Sequence, residues 1–198
     1  MPTIFSKITE GFSLSSASPV TSGIEDVIYI FNEDDITIQY STTNPLTIDK
    51  LTPVNGGKLY KFQGTNNSFN AMSKLAKTQV GPRYTEEIDF NIAGLSVEIK
   101  AQLRAMGYGR VKAVVINNYR DSNSAVELFG AVNGLILTEA ERNAADEGME
   151  GGYKLKLTNP EKLREPYPPR AVVIAPLSGT ASYASTITAL NELTEDTE

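Results

Sequence analysis

The chain has 198 residues, 40% of them hydrophobic and 21% charged, with a net charge of −6; this suffices for one substantial core, and the acidic balance argues against a protein whose task is to grip nucleic acid phosphates. It contains neither cysteine nor histidine, which excludes disulfides, thiolate metal sites, Ser-His and Cys-His nucleophile pairs and the commonest metal ligand. No run approaches the roughly 20 apolar residues of a membrane helix, and residues 1–12 lack the basic start and apolar middle of a secretory signal, so the mature protein is expected to be the chain as written.

Residues 1–23 are rich in Ser and Thr, hold too few apolar residues in register for an element, and read as an N-terminal arm. Residues 24–31 and 36–40 read as the strands of a hairpin whose solvated tip is Asn32, Glu33, Asp34 and Asp35. That tip lacks the glycine and further ligand of a calcium loop. A second hairpin is expected from residues 46–51 and 58–62 around the turn Val54-Asn55-Gly56-Gly57. Gly56-Gly57-Lys58 is not a phosphate loop, because the upstream glycine is missing and Leu59 stands where Ser or Thr would bind magnesium. Phe69, Met72, Leu75 and Ala76 share one side of a helix, so a second short helix is predicted over residues 68–78.

The clearest signals lie in residues 84–138. Ile88, Phe90 and Ile92 alternate with polar residues in a strand that buries one face. Gly94 and Ser96 open a helix over about 94–106, with Leu95, Ile99, Leu103 and Met106 on one side, Glu98 in the first turn, Arg104 near the end and Gly107 as cap. Residues 111–116 are β-branched and almost continuously apolar, as in a more fully buried strand, and residues 126–138 read as a long strand interrupted by Gly130 and Gly134, which signal a bulge, a bend or a close backbone approach.

An acidic, glycine-containing stretch at 139–152 joins this to an alternating strand at 153–157 that places Lys154 and Lys156 on one face. Loops of that length are commonly functional. Pro166, Pro168 and Pro169 enforce an extended course before a further buried strand at 171–175, and the Ser/Thr/Ala-rich, acidic end at 178–198 reads as a flexible tail. The expected organisation is an N-terminal arm at 1–23, a single mainly β α+β domain at 24–177 and the tail, with no catalytic equipment, cofactor motif or metal site.

The succession Leu59-Tyr60-Lys61-Phe62-Gln63-Gly64, the strand-helix-strand of 88–116, then Glu127-Leu128-Phe129-Gly130-Ala131-Val132-Asn133-Gly134-Leu135 and Gly152-Tyr153-Lys154-Leu155-Lys156-Leu157-Thr158 resembles structural proteins of tailed bacteriophages that infect Bacteroidetes, and the element order resembles the tail-tube fold. The resemblance covers about residues 59–174. It implies a tail-tube-like β-sandwich or barrel with a flanking helix, long loops and extended termini. It also implies a non-enzymatic virion protein of the phage tail or neck, made in the host cytoplasm. Copies would close into a homo-oligomeric ring, hexameric or higher, that contacts neighbouring tail proteins and passes DNA without sequence-specific binding or a membrane. The assembly contacts would then fall on Phe5 and Phe12 in the arm and on Asp146, Glu147 and Glu150 in the acidic loop. Two other classes compete: a carbohydrate-binding or adhesive virion module stacking sugars on Tyr108, Tyr119 and Tyr167, and a carboxylate-only glycosidase needing two carboxyl groups about 5 to 10 Å apart.

Overall fold

The structure is a computed structural model that describes residues 22–64, 68–79, 81–92, 94–120, 124–143, 151–160, 162–175 and 180–194. Eleven strands and two helices follow one another as β1 (Ile24–Asn32), β2 (Ile36–Tyr40), β3 (Thr47–Pro53), β4 (Tyr60–Gln63), β5 (Asn70–Thr78), β6 (Gly81–Ile92), α1 (Val97–Met106), β7 (Val111–Asn117), β8 (Val126–Phe129), β9 (Ile136–Glu141), β10 (Tyr153–Thr158), β11 (Arg170–Val172) and α2 (Tyr183–Glu192). They form a seven-stranded sheet in the order β2-β3-β11-β8-β7-β1-β4 and a four-stranded sheet in the order β5-β6-β10-β9. Among the strand pairs of the described residues only β3–β11 is parallel. The expected mainly β, α+β class holds, and neither sheet closes into a barrel.

Period-two alternation explains how the sheets face each other. Ile88 and Phe90 of β6 and Leu155 and Leu157 of β10 share one core with Ile28 and Ile30 of β1 and Ala113 and Val115 of β7. The intervening residues Tyr29, Phe31, Val114 and Ile116 point to the other side of the large sheet, into a second core capped by Leu190. The centre of the large sheet is therefore buried on both faces, as the unbroken apolar run of β7 suggests.

α1 starts where the capping chemistry places it, with Ser96 Oγ accepting from the Ile99 N–H at 3.2 Å. Leu103 and Met106 are its buried contacts, while Leu95 precedes the helix and stays exposed.

Five expectations are corrected. The 24–31 and 36–40 strands do not pair: β1 lies between β7 and β4, whereas β2 pairs with β3 at the opposite edge. The continuous run Ile28-Tyr29-Ile30-Phe31 demands cover on both faces, and only a central position supplies it. The second hairpin dissolves too, since β3 pairs with β2 and β11 while β4 pairs with β1. Its turn is real, with Asn55 and Gly56 at φ of 52° and 80° and the Gly57 N–H donating to the Val54 carbonyl at 2.9 Å, yet it joins strands in different parts of the sheet.

The predicted helix at 68–78 is the strand β5. It pairs with β6 over nine residues, and period two puts Phe69 and Ala71 in the core, so long-range pairing overrides a helix-like spacing. The single strand read over 126–138 is two strands in different sheets, with Gly130 and Gly134 at φ of 68° and 69° making the crossing.

The fifth correction concerns the tail. Within 178–198, α2 lies on the second core with Leu190 fully buried. Ser182 and Ser185 exchange side-chain-to-backbone hydrogen bonds of 3.1 and 2.9 Å in a reciprocal cap. The helix start is tied to the end of β11 by Ser185 Oγ donating to the Ile174 carbonyl and the Ile174 N–H donating to Thr186 Oγ1. Its far end is tied to β1 and β4, with Tyr29 Oη donating to Asn191 Oδ1 at 2.8 Å and the Leu59 N–H to the Leu193 carbonyl. Replacing Ser182 with alanine is expected to cost about 1 kcal/mol, lowering the urea midpoint with an unchanged slope. A midpoint identical to wild type would show that the cap contributes nothing.

Candidate assembly surface

The crossing between the sheets is held by buried ionisable side chains that no sequence motif announced. β6 points Phe90, Ile88 and then Glu86 inward, and Glu86 is only 1% exposed. Its carboxylate accepts the Gly130 N–H at 2.6 Å, and its own N–H donates to Asn159 Oδ1 at 2.6 Å. Glu165 grips the same 130–135 loop, accepting the Asn133 N–H at 2.8 Å and the Val132 N–H at 3.1 Å. Burial pushes the Glu86 carboxyl up to about 8, against the Gly130 hydrogen bond, with the Glu165 and Glu127 carboxylates adding to the rise. Burial also raises Glu165, opposed by the Asn133 and Val132 N–H groups and by Arg170 and Lys112.

Arg170, 5% exposed, supplies the nearby positive charge. Its guanidinium carbon lies 4.1 Å from the Tyr40 ring centre and 4.7 Å from that of Tyr167, a stacked cation between two aromatic faces. Tyr40 in turn donates to the Ala131 carbonyl. The cluster pins a corner of the fold. Extending the Ile88–Phe90 alternation two residues upstream would have flagged Glu86 as an acidic side chain facing inward.

Outside this corner, both sheets end in edges that carry no further strand among the described residues: β2 and β4 in one, β5 and β9 in the other. β5 is the longest of these at nine residues, and its Leu75 is 63% exposed. Beside β4 lies a mainly apolar groove of about 490 Å³ walled by β1, β4, Ile92 and α1. Lys61 and Gln63 of β4 and Glu98 and Gln102 of α1 stand at it, and Glu98 is its one carboxyl group. A carboxylate pair of the glycosidase kind needs two. Among the described residues no cluster of acidic side chains could hold a metal ion.

The residues expected to carry assembly, Phe5, Phe12, Asp146, Glu147 and Glu150, all lie outside the described residues. The acidic stretch does join paired strands, β9 and β10, as expected. The three tyrosines proposed as sugar platforms do not share a surface role: Tyr167 is half-buried against Arg170, Tyr119 is half-buried, and Tyr108 stands alone at 83% exposure beyond α1. Among the described residues no helix is long and apolar enough to cross a membrane.

No protein-family model matches the chain, and no curated protein or solved structure matches it significantly.

Proposed function

We propose that this chain is a non-enzymatic architectural subunit that self-assembles through its open sheet edges into rings enclosing a channel. It would build the tail tube or neck of a tailed bacteriophage virion, in keeping with the sequence resemblance. The observation that carries the reading is β5, a nine-residue edge paired along one side only, with Leu75 standing out from it. An uncovered edge of that length presents free N–H and C=O groups and is a template for another chain, and ring closure is one way to satisfy it in every copy. Lys74 and Lys77 flank Leu75, so the edge also carries charges that discourage indiscriminate pairing. A net charge of −6 suits a channel through which DNA moves without adhering.

Light scattering over a range of concentrations should reveal large species, and electron microscopy should show them as rings or tubes with a central hole. Leu75→Lys should abolish those species while shifting monomer stability by no more than about 0.5 kcal/mol, as expected of a surface change. A wild-type chain that is monomeric at every concentration, with or without a pre-formed tube to extend, would overturn the proposal.

A further inference from the structure

The edge strand β4 has one side that no described strand occupies, and its hydrogen-bonding pattern identifies the backbone groups left over. The Gly64 N–H donates to the Asp26 carbonyl at 3.1 Å, just beyond the paired residues of β1 and β4. Because bonded and unbonded positions alternate along an antiparallel pair, Phe62 and Tyr60 also turn their backbones to β1, and Lys61 and Gln63 turn theirs outward. Leu59 continues that alternation, and its outward N–H does find a partner, the Leu193 carbonyl at the end of α2, 2.8 Å away. Side chains alternate as well. Lys61 stands opposite Tyr29 and points to the side of the second core, whereas Phe62 stands opposite Ile28 and points to the side that α1 covers.

The mainly apolar groove of about 490 Å³ lies on this second side. Phe62 and Ile92 line it from the two sheets, and Ile99, Leu103 and Met106 line it from α1. A further strand laid against β4 would meet the outward N–H and C=O groups of Lys61 and Gln63 and would point every second side chain between β4 and α1. Glu98, the one carboxyl group at the groove, is exposed in the first turn of α1 and favours a positive charge on whatever docks there. The described edges of a second copy do not supply such a strand. Those edges are β2, β5 and β9 besides β4 itself, and the large apolar side chains exposed on the first three are Tyr40 of β2 and Leu75 of β5, one to a strand, where filling the groove takes two at alternate positions.

We propose that β4 and this groove form a docking site for an extended segment of a different protein, added beside β4 to the seven-stranded sheet, with large apolar side chains at two alternate positions in the groove and a basic residue beside Glu98. The edge supplies main-chain hydrogen bonds, and the groove supplies the selection among sequences. Covering the groove and the edge together removes an apolar surface and an open template for pairing in one step. The site uses neither β5 nor Leu75, so it stands apart from whether copies assemble into rings.

The probe is a fluorescein-labelled peptide of sequence Lys-Thr-Leu-Thr-Phe-Thr-Lys, titrated with the full chain and read by fluorescence anisotropy. It should bind with a Kd of about 100 µM or tighter. Ala105→Trp, at an exposed groove position, should weaken binding about tenfold while leaving the urea midpoint unchanged. Glu98→Lys should weaken the basic peptide and strengthen a counterpart that carries Glu at both ends. Methylating the backbone nitrogens of one alternate set of peptide residues should abolish binding, and methylating the other set should leave it within about twofold, because only one set faces β4. An absence of binding, binding untouched by Ala105→Trp, or equal effects of the two methylated sets would overturn the proposal. Loss of the rings or tubes themselves in the Ala105→Trp chain would overturn it in favour of a groove that receives a second copy.

Discussion

Phe90→Ala is expected to lower the stability of the folded chain by about 3–5 kcal/mol, the range for truncating a buried aromatic side chain. Phe90 is fully buried where the two sheets meet. Its ring meets Phe62 edge-on at 6.0 Å between centroids and Phe69 at 5.8 Å, so it couples β6 of the small sheet to β4 of the large one and to the entry of β5. Removing it deletes its contacts with both rings and leaves a cavity between the two sheets, which close packing allows to collapse only in part. Urea unfolding should show a reduced midpoint with little change in slope. A loss below about 1 kcal/mol would mean that the inter-sheet core is far looser than the ring geometry implies. Because Phe62 also lines the groove beside β4, the same substitution should increase the binding of anilinonaphthalene sulfonate, a dye that fluoresces on apolar surface, there.

The second large effect is one of pH. With the Glu86 carboxyl raised from near 4.5 to about 8, folded and unfolded chains both hold the proton below about pH 4.5, and only the folded chain holds it from there to about pH 8. The stability associated with this group is thus fully present in acid, is lost progressively as pH rises through that window, and changes no further above it. The total loss is up to about 5 kcal/mol.

Glu86→Gln isolates the group. Its amide oxygen can still accept the Gly130 N–H, and nothing remains to ionise. Relative to wild type, the variant should gain more than about 2 kcal/mol between about pH 5 and about pH 9. A difference between the two proteins that stays constant with pH would show that Glu86 is ionised in the fold at neutrality and that Arg170 fully compensates it.

Several parts of this molecule follow from local chemistry and were legible in the sequence. Ser96 and Glu98 start α1 because an orphan N–H needs an acceptor there, whatever packs above. The alternation of Ile88, Phe90 and Ile92 specifies a strand with one buried face, and the unbroken run of β7 specifies one with two. The lack of cysteine and histidine removed whole classes of chemistry before any fold was known.

What the sequence did not determine was partnership, because the same apolar pattern satisfies many neighbours equally well until all are in place. The turn at 54–57 forms as its residues require, yet turn chemistry carries no information about which strands flank it in the sheet. β5 became a strand because β6 offered nine partners, and α2 an ordered helix because an uncovered face of the large sheet accepted Tyr183, Ile187 and Leu190. The spacing of those three residues and the Ser182–Ser185 cap were present in the sequence, outweighed in a compositional reading by the surrounding Ser, Thr and Glu. The corner of Glu86, Glu165 and Arg170 exists only in three dimensions: residues from β6, the proline-rich segment and β11 converge there because the chain between Phe129 and Ile136 must change sheets, and a backbone that leaves one sheet for another needs buried acceptors for the N–H groups it exposes on the way.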